Sequence, residues 1–75
     1  MGNGLTVSDE RVIGFGRRIR MIRKSKSLSQ EGLAALAELD RSYMGHVERG
    51  EKNVTIRNVF KIADALDVHP GKLFE

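Results

Sequence analysis

The chain contains no cysteine and no tryptophan, one proline, and two histidines among its 75 residues. Without cysteine, neither a disulfide nor a thiolate zinc site can staple the fold. His46 and His69 are too few and too far apart for a structural metal site, so no metal or other cofactor is expected. No apolar run approaches the roughly 20 residues that span a bilayer, which argues against a membrane partner. The opening MGNGLTVSDE lacks the basic-then-apolar order of a signal peptide. Its glycines and polar residues mark residues 1–8 as a flexible tail and residues 9–75 as one domain. The chain is therefore expected to be cytoplasmic. Period-two alternation of β-branched residues is also missing, which argues against a sheet. With Pro70 the single proline, nearly the whole length is free to be helical.

A domain of this size buries only about 60% of its unfolded surface and is marginal alone. With disulfides and metals excluded, a partner subunit is the remaining source of burial, and a homodimer is expected. Net charge is a mild +3, but its placement is uneven. Residues 17–26 carry Arg17, Arg18, Arg20, Arg23, Lys24 and Lys26 with no acid. Such a stripe is the electrostatic footprint of a polyanion binder. A plain solvated helix face would carry the same charges.

Apolar residues recur at spacings of three and four, which predicts helices throughout. A first helix is expected over Asp9 to Lys26, capped by Ser8, with Phe15, Ile19 and Ile22 as its buried stripe. Gly14 and Gly16 should weaken its front half. A second helix runs from Gln30 to Ala37 with Ser29 as cap. A third runs from Arg41 to Arg49, capped by Asp40 and stopped by Gly50. It is too short to stand alone and must be held by its neighbours through Met44 and Val47. A fourth follows Thr55 and ends near Asp67. Its apolar face, Ile56, Val59, Phe60, Ile62, Ala63 and Leu66, is wider than one packing stripe needs. Pro70 opens a last short turn.

Two short helices joined by about three residues form a helix-turn-helix. The strings Ser29-Gln30-Glu31-Gly32-Leu33-Ala34, Leu39-Asp40-Arg41-Ser42-Tyr43-Met44 and Val47-Glu48-Arg49-Gly50 resemble the Cro/CI-type (XRE-like) helix-turn-helix family. Within it, the chain is most similar to the controller proteins of restriction–modification systems. The resemblance covers Phe15 to Phe74 and implies an all-α, five-helix, lambda-repressor-like DNA-binding domain. It also implies a sequence-specific, double-stranded-DNA-binding regulator, bacterial or phage-encoded, with RNA polymerase as a candidate further partner. The family's turn glycine is Glu38 here, at a position that often needs positive φ. The resemblance further implies an ion pair between Arg23 and Glu48.

The N-terminal end of a recognition helix enters the major groove. Candidate base contacts are Arg41, Ser42, Tyr43 and His46. Arginine can bond guanine O6 and N7 together, which puts Arg41 first. Candidate phosphate contacts are Gln30 at the start of the second helix, then Arg49, Lys52, Asn53 and Arg57. Candidate dimer contacts are Phe60, Val68, Leu73 and Phe74, all of which could instead close the monomer core. A phage-type repressor or antitoxin regulator stays open as an alternative, as does a module docking a protein partner. The Ser42 and His46 spacing invites a nucleophile–base reading, but no third orienting group supports an enzyme.

Overall fold

The spacings of three and four fold as four α-helices followed by a 3-10 turn: α1 (Glu10–Ser25), α2 (Gln30–Ala37), α3 (Arg41–Glu48), α4 (Ile56–Leu66) and the turn Pro70–Phe74. The computed structural model describes residues 9–75. The expected fifth helix is that 3-10 turn, too short for α-helical bonds to settle. Residues 1–8, and with them the Ser8 cap, lie outside the described residues. Asp9 takes the capping place, its side chain accepting from the Arg11 backbone N–H at 2.9 Å. Ser29 caps α2 and Thr55 caps α4 in the same way, through the N–H groups of Gly32 and Asn58. Asp40 does not: its backbone is in the extended conformation of a cap, but its side chain makes no capping bond.

The elements pack as α1 on α3, α2 on both α3 and α4, and the 3-10 turn against α1 and α4. Ile19, Leu33, Met44, Val47, Ile62, Leu66 and Leu73 fill the centre and are essentially fully buried. Leu73 is thereby removed from the candidate dimer surface. The broad face of α4 divides in two. Val59, Ile62, Ala63 and Leu66 enter the core, whereas Ile56 and Phe60 stay exposed.

Close approach and chain reversal each fix a glycine. A Cβ on Gly16 would lie 2.6 Å from the Glu48 carbonyl oxygen and collide also with that of Val47. The bare α-carbon of Gly16 is what lets α1 touch the end of α3. Gly50 has φ of 76°, and a Cβ there would meet the Ile13 α-carbon at 2.7 Å. Both features demand glycine where α3 stops. Glu38 does take positive φ, 58°, at the turn between α2 and α3, and Ser27 and Asp67 do so after α1 and α4.

Candidate nucleic-acid interface

Helix α3 is only eight residues long, so its placement comes from its neighbours. Met44 and Val47 anchor its inner face in the core. A polar anchor stands beside them. Arg23 Nε donates to Glu48 Oε2 at 2.7 Å and Arg23 Nη2 donates to Oε1 at 2.9 Å. This is a bidentate pair between α1 and α3, and both residues are buried. The remaining Arg23 Nη1 donates to the Leu28 carbonyl at 2.9 Å, and Gln30 Nε2 donates to Glu48 Oε1 at 3.1 Å. No polar side-chain atom of this network is left buried without a partner. The planar fork fixes orientation as well as distance, so one network ties α1, the start of α2 and the end of α3 together.

From that seat the opposite face of α3 points outward. Arg41 and Ser42 are exposed at its first turn. Tyr43 is half-buried and packs against the core, with its hydroxyl accepting from Asn58 Nδ2 at 3.1 Å. The hydroxyl keeps its own proton for an outside acceptor. Asn58 is a positioning residue that the sequence did not reveal: nothing in the first turn of α4 pointed back to Tyr43.

At the other end of α3, His46 Nδ1 lies 2.7 Å from Glu51 Oε1 and 3.2 Å from Arg49 Nη2. The nitrogen can donate to the carboxylate or accept from the guanidinium, but not both. Arg49 Nε also donates to Glu51 Oε1, at 3.3 Å. The hydrogen bond from His46, with the Arg49 charge and its own bond behind it, holds the Glu51 carboxyl below the usual carboxylate range. His46 thus turns its Nδ1 to Glu51, not to Ser42. Glu51, too, was missed: its signal was an acid set among cations.

The phosphate candidates fall into two groups. Gln30 and Arg49 both lie over Gly45, where a Cβ would come 3.3 Å from Gln30 Oε1 and from an Arg49 guanidinium nitrogen. The missing side chain at Gly45 leaves room for both. Lys52, Asn53 and Arg57 are exposed on and after the loop that follows α3. Lys52 and Asn53 also line a shallow groove with Val12, Phe15, Ile56 and Phe74. Of the candidate dimer residues, Phe60 is 50% exposed, Phe74 is 65% exposed and Val68 packs partly against the core. The Phe74 ring leans on Phe15 at 5.1 Å between centroids. Among the described residues no set of three His, Asp or Glu side chains is placed to hold a metal, and no helix is long and apolar enough to cross a membrane.

Helix α3 is thus a short helix locked from inside by a buried fork, with Arg41 and Ser42 exposed at its first turn and the cations Arg49 and Lys52 beyond its end. Together fold and site define a helix-turn-helix DNA-binding transcription regulator. The chain belongs to the helix-turn-helix family, whose profile matches residues 19–73. It is 47% identical over 62 residues to the control protein C.BamHI of Bacillus amyloliquefaciens, covering 81% of this chain and 76% of that protein. The restriction–modification controller protein C.AhdI of Aeromonas hydrophila superposes with a TM-score of 0.87 at 52% identity, over 88% of this chain and all of the other. SinR, a master regulator for biofilm formation solved in complex with DNA, superposes with a TM-score of 0.77 at 34% identity, over 81% of this chain and 98% of the other.

Proposed function

We propose that the protein is a regulator of the restriction–modification controller type, which binds a palindromic operator as a symmetric dimer and acts by binding, without bond-making chemistry. The observation that carries this reading is the pairing of exposed Arg41 and Ser42 at the tip of α3 with the buried Arg23–Glu48 fork at its base. The fork sets the helix, and the helix presents the tip. Arg41 reads a guanine edge, Ser42 a base or phosphate, and Tyr43, oriented by Asn58, a base, sugar or thymine methyl. His46, the fourth candidate for base contact, already carries a carboxylate on its Nδ1, which groups it with the phosphate-facing residues. Gln30, Arg49, Lys52, Asn53 and Arg57 supply affinity and register along the backbone.

Two such helices related by a two-fold axis would read half-sites about 34 Å apart, or a multiple of that. We take the dimer surface to include the exposed Phe60 of α4 and Phe74 of the 3-10 turn, with the partly buried Val68; the exposure of the two aromatic rings supports this reading. By likeness to controller proteins, the operator lies at a promoter, with RNA polymerase as a second partner and the cytoplasm as the compartment. Selection of bound sequences from a random duplex pool tests the reading. A palindromic consensus is the expected result. Equal recovery of all sequences, or no retention at low salt, would overturn it.

A further inference from the structure

Glu51 is an acid in a stretch whose nearest charged neighbours, Arg49 and Lys52, are cations. Its backbone is not free. The Glu51 N–H donates to the His46 carbonyl at 2.9 Å, closing the last turn of α3. Gly50, just before it, is fixed at positive φ against Ile13. The carboxylate therefore springs from a point tied to the end of the reading helix. One oxygen, Oε1, faces both His46 Nδ1 at 2.7 Å and Arg49 Nε at 3.3 Å. An anionic oxygen shared by an imidazole and a guanidinium is also what a phosphate oxygen would make of the same pair. Helical spacing puts Ser42, Gly45 and His46 on one face of α3, and Arg49, its C-cap, continues that line. The carboxylate thus sits at the far end of the face that begins at Ser42. All three side chains are roughly half exposed, so a polyanion can reach them.

We propose that Glu51 is a built-in stand-in for a DNA phosphate: it gathers His46 and Arg49 in the free protein and yields that seat to a backbone phosphate of the duplex. The proposal rests on the DNA-binding reading above and goes one step beyond it. Arg49, its charge offset by Glu51, delivers less net charge to the duplex and so releases fewer counterions. Removing the carboxylate leaves His46 and Arg49 unpaired, and the duplex gains what the carboxylate held.

The test is duplex binding over a range of salt for the wild-type chain, Glu51→Gln, Arg49→Gln and the double variant. Asp64→Asn serves as control, since it removes the same charge from an exposed α4 residue that forms no ion pair among the described residues. Glu51→Gln should bind several-fold tighter at low salt, with a log–log salt slope steeper by about one. Asp64→Asn should change neither comparably, and the gain should vanish in the Arg49→Gln background. The proposal is overturned if Glu51→Gln binds no tighter, if Asp64→Asn matches it, or if the gain survives without Arg49. Wild-type protein that binds no duplex at any salt would strike the DNA-binding reading and this proposal together. Normal wild-type binding with an unmoved Glu51→Gln strikes this proposal alone.

Discussion

Arg41 occupies the first position of α3, where the helix dipole disfavours a cation by a few tenths of a kcal/mol. It is exposed and forms no ion pair among the described residues. A charge held at an unfavourable site with no internal partner is available to a partner outside. Arg41→Ala should lower affinity for the selected operator by about 1–3 kcal/mol per half-site and relax preference at one base position. Binding of random duplex should fall much less. Competition between operator and random duplex measures the difference, and equal losses on both would refute a base-reading role. The exposed place of Arg41 and Ser42 at the first turn of α3 was legible in the sequence, because the Asp40 position and the apolar spacing of Met44 and Val47 fix where that helix starts and which face turns inward. The partner of Tyr43 was not. Asn58 lies on another helix, and only the tertiary crossing brings its amide to the hydroxyl.

Between elements, the hydrophobic periods and the caps predicted α2 to the residue and the other helices to within one residue at each end. Ser29 and Thr55 cap as expected, because a capping side chain acts within its own turn, whereas Asp40 makes no capping bond and Asp9 caps α1. What the sequence did not carry was the reason for Gly16. Within one helix a glycine reads as a weakness worth up to about 1 kcal/mol against alanine. In the fold it is the contact point of α1 with the last turn of α3, where a Cβ would strike two carbonyl oxygens. Carbonyls at a helix end cannot swing aside as a flexible side chain can. Gly16→Ala should therefore destabilise the domain despite its better helix propensity, by roughly 1–3 kcal/mol in line with overpacking. Thermal unfolding checks the sign, and an unchanged or raised Tm would contradict the close approach. Glu38 gives the opposite case. Its φ of 58° is a left-handed conformation that costs a side-chain-bearing residue about 1 kcal/mol. Its side chain is exposed and makes no hydrogen bond among the described residues. Glu38→Gly should raise stability by about 0.5–1 kcal/mol, a Tm gain of a few degrees for a domain of this length. A lower Tm would mean that the added freedom of the unfolded chain outweighs the relieved strain.

At the scale of the molecule, the question is what covers the outer half of α4. The sequence showed an apolar face too wide for one core, and the fold divides it: Val59, Ile62, Ala63 and Leu66 inward, Ile56 and Phe60 outward. Which half would be which was not legible, because α4 could have rotated about its axis to bury either. Packing of α2 and the 3-10 turn against it settled the rotation, and the same packing sealed Leu73 inside the monomer. Phe60 is left half exposed, and Phe74 is more exposed still, steadied by Phe15. Aromatic surface held open in so small a domain is worth burying against a second copy. A two-fold axis counts every such residue twice. Phe60→Asp should raise the dimer dissociation constant about thirtyfold or more, the loss of roughly 1–3 kcal/mol of apolar burial at each of the two symmetric sites. Sedimentation across a concentration series reads it directly. Because Phe60 contributes nothing to the tip of α3, a single half-site should be bound as before, while the full palindrome is bound more weakly and with steeper dependence on protein concentration. An unaltered dissociation constant would move the dimer surface elsewhere. Weakening of half-site binding by the same factor would show instead that the substitution damages the monomer.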